Sequence, residues 1–122
     1  MAAPITPICI LDDDSSVLSS LRELLASEGF EAETFDKPGE FLSYTLEHAV
    51  KLAVLDVWMP ATNGVEVQEQ LRERSPDTRV IIITGREETA LRAAVLERGA
   101  IAFLVKPFDD EAFLSLVRNA LP

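Results

Sequence analysis

Five times along this chain a short apolar run is followed, after a few residues, by an amphipathic stretch. Pro7 to Leu11 reads as a buried strand. Ser15 to Glu28 follows as a helix with Val17, Leu18, Leu21, Leu24 and Leu25 at helical spacing, and Gly29 stops it. Glu31 to Phe35 is a weaker, more polar strand, as an edge position allows. Pro38 to about Ala49 is a helix with Phe41, Leu42, Thr45 and Leu46 on one face. Leu52 to Asp56 is a third strand ending in a carboxylate, and its helix, Gly64 to Arg74, turns Val65, Val67 and Leu71 inward. Arg79 to Thr84 carries Val-Ile-Ile-Ile, the clearest strand signal, and the alanine-rich helix Glu87 to Arg98 ends at Gly99. Ile101 to Val105 is the fifth strand, and Asp109 or Asp110 caps a last helix running to about Leu121.

Such an alternation predicts an α/β fold: a five-stranded parallel sheet with helices on both faces. Right-handed crossovers leave few topologies. The 122 residues suit one domain, 1–122, with an ordered core of about 7–121. Met1 to Thr6 and Pro122 have no structural role and read as linker ends. A single cysteine, Cys9, rules out an internal disulfide and a cysteine-based metal site, and suits a reducing cytoplasm. Cys9 itself reads as a small core hydrophobe.

The longest apolar run, Ala100 to Val105, is far short of the ~20 residues of a membrane helix. Met1 to Pro7 lacks the features of a secretory signal. With 21 acidic and 11 basic side chains the net charge is −10, which opposes contact with nucleic acid or an anionic membrane. Arg72, Arg74, Arg79, Arg86, Arg92 and Arg98 are spread along the chain and read as solvated helix faces.

Ligands of open parallel sheets bind beyond the carboxyl ends of the strands. There the first strand delivers Asp12, Asp13 and Asp14, the third Asp56, the fourth Thr84 and Gly85, and the fifth Lys106 followed by Pro107. Two carboxylates ~4 Å apart repel by about 1 kcal/mol in water and about 4 at an effective dielectric of 20. A hard dication offsets that cost, and oxygen-only ligands suit Mg²⁺. With Lys106 and the Thr84 hydroxyl beside it, such a site is equipped for phosphoryl transfer to one carboxylate. Asp14, or its neighbour Ser15, reads as a helix cap. His48 lies on a helix, exposed, with no assigned role.

Leu11-Asp12-Asp13, Asp56-Val57-Trp58-Met59-Pro60 with Asn63-Gly64, Thr84-Gly85, and Lys106-Pro107-Phe108 occur in this order, each at a strand end. With these motifs the chain, from about Pro7 to Leu121, resembles the CheY-like receiver domain of bacterial two-component response regulators. The resemblance implies a flavodoxin-like (βα)5 fold with strand order 2-1-3-4-5. It implies that Asp56 accepts a phosphoryl group from the phosphohistidine of a sensor histidine kinase or phosphotransfer protein. Asp13 would bind Mg²⁺ directly and Asp12 largely through a water, with Asp56 and the backbone carbonyl of Trp58 as further metal ligands.

Thr84 looks like the switch hydroxyl and Lys106 like the partner of a phosphoryl oxygen, its bond to Pro107 expected to be cis. Phe103, three residues before the lysine, matches the switch aromatic. The readout face would be the fourth helix, fifth strand and fifth helix, acting on an output domain or downstream protein, with a phosphorylation-dependent homodimer as a further expectation. Catalysis would be limited to self-phosphorylation and autodephosphorylation. The chain would be a complete single-domain regulator or the N-terminal part of a longer protein such as a transcription factor. Met1 as a start and Pro122 at a helix end favour the second.

Trp58, two residues after the nucleophile, and Arg86, two after Thr84, border the site entrance in this family. They are expected to cover the phosphoryl group partly and slow attack by water. A haloacid-dehalogenase-type phosphatase needs a second carboxylate two residues after its nucleophile, where Trp58 stands. A nucleotide or flavin module needs a phosphate-cradling loop, which Gly29, Gly39, Gly64, Gly85 and Gly99 do not form. The remaining alternative is a receiver-like interaction module that works without phosphorylation. The intact set Asp12, Asp13, Asp56, Thr84 and Lys106 speaks against it.

Overall fold

A computed structural model of the chain describes residues 7–59 and 62–121. Its elements are β1 (Ile8–Leu11), α1 (Ser15–Ser27), β2 (Ala32–Phe35), α2 (Pro38–Glu47), β3 (Leu52–Asp56), β4 (Trp58–Met59), β5 (Thr62–Asn63), α3 (Gly64–Arg74), β6 (Arg79–Thr84), α4 (Thr89–Glu97), β7 (Ala102–Val105) and α5 (Asp110–Ala120). Five strands form one parallel sheet in the order β2-β1-β3-β6-β7.

This corrects the numbering of the expected order 2-1-3-4-5. The fourth and fifth strands along the chain lie outside the sheet. They are a two-residue antiparallel pair, Trp58 opposite Asn63 and Met59 opposite Thr62. Strands of two residues have no periodicity to read. Pro60, the linker-like Met1 to Thr6, and Pro122 lie outside the described residues.

Successive strand residues face opposite sides of the sheet, and each side has its own core. Ile8 and Ile10 of β1, Val54 of β3 and Ile81 and Ile83 of β6 pack with Leu18, Leu21 and Leu25 of α1 and Phe113 and Val117 of α5. Cys9, Leu11, Leu55 and Ile82 face the other way, against Phe41 of α2, Val67 and Leu71 of α3 and Val95 of α4. Each fully buried aliphatic side chain contributes about 1.5–3 kcal/mol. The sheet is thereby clamped from both sides, which leaves the strand ends as the edge where polar groups collect.

Helix ends follow local chemistry. Gly29 (φ 83°) and Gly99 (φ 94°) adopt the left-handed conformation that closes α1 and α4. Their N–H groups donate to Ala26 O at 3.0 Å and Leu96 O at 3.1 Å. Helix α2 stops at Glu47 rather than Ala49, because His48 is extended. Leu46, expected on the inward face, is 55% exposed. Phe41, Leu42 and Thr45 already span the buried arc, and Leu46 falls past its edge. Helix α4 begins at Thr89, two residues later than expected, since Glu88 is also extended and gives no side-chain cap. Among the described residues no helix is long and apolar enough to cross a membrane.

Candidate functional site

The chain leaves β1 toward β2 on one side and returns through β3 on the other, so the crevice beyond β1 and β3 is the switch point of the sheet. Asp12 follows β1 directly, Asp56 is the last residue of β3, Thr84 is the last of β6, and Lys106 follows β7. One carboxylate oxygen from each of Asp12, Asp13 and Asp56 falls in a group whose members all lie within 4.8 Å of one another. The Lys106 ammonium donates to Asp12 Oδ2 at 2.8 Å and to Asp56 Oδ2 at 3.2 Å. Its backbone N–H donates to Thr84 O at 2.7 Å, which ties the end of β7 to β6.

The second oxygens of the two buried aspartates serve the loops. Asp12 Oδ1 accepts the Asp14 N–H at 3.0 Å, and Asp56 Oδ1 accepts the Trp58 N–H at 2.9 Å. Asp12 and Asp56 are buried while Asp13 is exposed. Thr84 is buried, its hydroxyl oxygen accepting the Arg86 N–H at 3.2 Å. The Lys106–Pro107 peptide is cis, matching the expectation.

Burial pushes the Asp56 carboxyl up to about 6; the Trp58 N–H pulls against it, the Asp12 charge adds to it, and Lys106 also opposes it. Burial pulls the Lys106 ammonium down, but Asp12 and Asp56 together more than offset this, so its pKa ends above the ordinary value. One ammonium among three carboxylates leaves two formal negative charges without a partner. An oxygen-only donor set with that deficit fits a hard dication such as Mg²⁺.

The remaining singled-out residues lie around this centre or away from it. Trp58 is 49% exposed, and the Arg86 guanidinium sits 4.5 Å from its ring centroid, a cation–π pair. Arg86 Nε also lies 3.7 Å from Glu88. Phe103 is buried in the core on the α4 side, with the Arg92 guanidinium 5.6 Å from its ring centroid. Asp14 caps α1 by accepting the Ser16 N–H at 2.9 Å. Burial pushes the Cys9 thiol up to about 12, so no thiolate forms at neutral pH. His48 is exposed and stacks on Tyr44 at 3.9 Å.

Two residues carry more than the sequence reading assigned them. A Cβ on Gly64 would lie 2.3 Å from Val57 Cα, so α3 starts in direct contact with the loop that follows Asp56. Gln68 is fully buried on the inward arc of α3 with Gly64, Val67 and Leu71. Helical spacing from Leu71 and Gly64 was the available signal for Gln68.

A doubly wound sheet with this acidic, lysine-bridged pocket defines a class, the phosphoacceptor domains of two-component signalling. Residues 8–118 match the family model described as the response regulator receiver domain, and the chain belongs to that family. It is 37% identical over 114 residues to the response regulator protein TodT of Pseudomonas putida, a match covering 93% of this chain and 50% of TodT. The transcriptional regulatory protein FixJ of Azorhizobium caulinodans is 35% identical over 115 residues, covering 94% of this chain and 54% of FixJ. The chain thus spans about half the length of the curated relatives it matches. Among solved structures, a beryllofluoride-activated NtrC4 receiver domain dimer superposes with a TM-score of 0.88 at 36% identity, covering 93% of this chain and 94% of that one. The NtrC4 receiver domain from Aquifex aeolicus gives 0.82 at 35%, covering 95% and 96%. Receiver domains interact with histidine kinases and output domains and bind Mg²⁺ at an acidic pocket, whose counterpart here is Asp12, Asp13 and Asp56.

Proposed function

We propose that Asp56 is the residue this domain phosphorylates. An Asp56 carboxylate oxygen attacks the phosphorus of a phosphohistidine on a sensor histidine kinase or phosphotransfer protein. The P–O bond forms, the P–N bond breaks, and the imidazole leaves with a proton from solvent. The observation that carries this reading is the ammonium of Lys106 bridging two of three clustered carboxylates. Lys106 then follows the new charge and pairs with a phosphoryl oxygen, while Thr84 gives up the Arg86 N–H and donates its hydroxyl. Asp13 and Asp56, with the Trp58 carbonyl and with Asp12 acting across water, would hold Mg²⁺. Bound there, the ion neutralises charge on the transferring phosphoryl oxygens.

Phosphorylation adds acceptor oxygens and about one further negative charge at the end of β3. Movement of Thr84 opens space that Phe103 fills, and the α4–β7–α5 face repacks for an output domain or partner. A cytoplasmic setting, a transcription-regulating output and a phosphorylation-dependent homodimer belong to the same reading.

Incubation with Mg²⁺ and a small phosphodonor, followed by intact-mass analysis, tests it. Wild type is expected to gain one phosphoryl group and Asp56→Ala none. An adduct on both proteins refutes Asp56 as the nucleophile, and absence from both favours the phosphorylation-independent module.

The stacked pair Trp58 and Arg86 is the cover of this site, shielding the phosphoryl group from water. Trp58→Ala and Arg86→Ala are each expected to shorten the aspartyl-phosphate lifetime about two- to fivefold, the worth of an exposed cation–π contact. Unchanged lifetimes discard that role.

A further inference from the structure

Helix α4 is held very differently at its two ends. Val95, near its C-terminus, is the one buried side chain that α4 contributes among the described residues. The Val95 carbonyl accepts the Ala100 N–H at 3.1 Å and also the Gln68 Nε2–H of α3 at 2.9 Å. One residue earlier, the Ala94 carbonyl accepts from the Arg98 guanidinium at 3.0 Å, and Arg98 Nε lies 3.6 Å from Glu69 of α3. At the other end Glu88 offers no side-chain cap. Its carboxylate instead faces Arg86, the residue stacked on Trp58 at the mouth of the site.

Gln68 is an unusual choice for this place. It is fully buried, and its Oε1 has no hydrogen-bond partner among the described residues. A buried acceptor without a donor is costly, and an apolar side chain of similar volume would avoid that cost. What an apolar side chain would not provide is the bond to Val95 O.

We propose that Gln68 is a positioning residue that pins the C-terminal turn of α4 to α3, so that α4 pivots about this end. Its N-terminal end, held less firmly by half-buried Leu91 and linked through Glu88 and Arg86 to Trp58, then follows the state of the site. Arg92, midway along, is carried across the ring of Phe103 as the helix swings. The pivot rests on the reading of Asp56 as the phosphorylated residue, whereas the pin itself is a property of the unmodified protein. A helix anchored firmly at one end and more weakly at the other turns a small local change into a rotation.

Amide hydrogen exchange on the 122-residue chain tests this. In wild type, Mg²⁺ with beryllofluoride, a phosphoryl mimic, is expected to change exchange severalfold at Arg92 to Ala94 and by less than about twofold at Glu97 to Ala100. In Gln68→Leu without ligand, exchange at Glu97 to Ala100 is expected to accelerate about five- to tenfold, the worth of one hydrogen bond. The urea midpoint stays unchanged or rises, because the orphaned acceptor is gone. With ligand, both ends of α4 then respond together.

Unchanged exchange at Glu97 to Ala100 in Gln68→Leu overturns the pin. So does acceleration there that merely tracks a lowered urea midpoint, which marks a purely structural role. Equal responses of the two ends in wild type overturn the pivot. Gln68→Met, of similar volume, is read in the same way if the leucine variant does not fold. Failure of the Asp56 reading shows separately, as no response to beryllofluoride at the Trp58 and Thr84 amides in any of these proteins. The ligand-free comparison still decides the pin.

Discussion

At Asp56, burial beside Asp12 raises the carboxyl pKa from 3.8 to about 6, so the fold holds the charged form at a disadvantage. Between those two values the folded chain binds more protons than the unfolded one. Stability that is fully present below pH 3.8 is therefore lost as pH rises through about 6. Asp56→Asn removes the charge and keeps the shape. In EDTA at pH 7 it is expected to be more stable than wild type by about 1–3 kcal/mol, with the gap closing toward about pH 4. Urea titrations at both pH values check this, and equal stability at pH 7 contradicts it. The residues of this pocket were legible because each polar group follows an apolar run that ends in it. Gln68 was not, because its polar amide reads as surface even though helical spacing places it between Leu71 and Val65 on the inward arc.

The start of α3 is tightly constrained. Asn63 caps it by accepting the Val65 N–H at 3.1 Å, and Gly64 brings the first turn against Val57 with no room for a Cβ. Gly64→Ala would gain about 1 kcal/mol of helix propensity. The 2.3 Å approach to backbone outweighs that gain, because the loop after Asp56 has to move. The variant is expected to lose about 2–4 kcal/mol net, seen as a lowered thermal midpoint, and to weaken the change that Mg²⁺ is expected to cause in the fluorescence of Trp58, the single tryptophan. An unchanged midpoint would mean the contact relaxes freely. Interiors of elements were readable from period and composition. Their ends shifted by one to two residues, and the β4–β5 pair was invisible, because caps and two-residue ladders depend on contacts that periodicity does not encode.

Over the whole molecule the net charge is −10, and among the described residues three carboxylates share one lysine at the switch point of the sheet. A dication that binds only the folded arrangement stabilises it by mass action. At ten times its dissociation constant Mg²⁺ is expected to add about 1.4 kcal/mol, raising the thermal midpoint by roughly 4–8 °C. Monovalent salt at equal ionic strength should not reproduce the shift, and Asp13→Asn should abolish most of it. A full shift in that variant would move the ion away from this cluster.

The alternation of apolar runs and amphipathic stretches was enough to establish the layers, the parallel sheet and the polar groups waiting at the strand ends. Those properties follow from periodicity and from local burial, which neighbouring residues carry along the chain. How those groups meet was a matter of packing. Lys106 reaches Asp12 across 94 residues of sequence and Asp56 across 50. The raised Asp56 carboxyl, the stack of Arg86 on Trp58 and the orphaned oxygen of Gln68 arise the same way. Each depends on distance and on exclusion of water in three dimensions, where a shift of an ångström changes the energy and the order of residues along the chain says nothing.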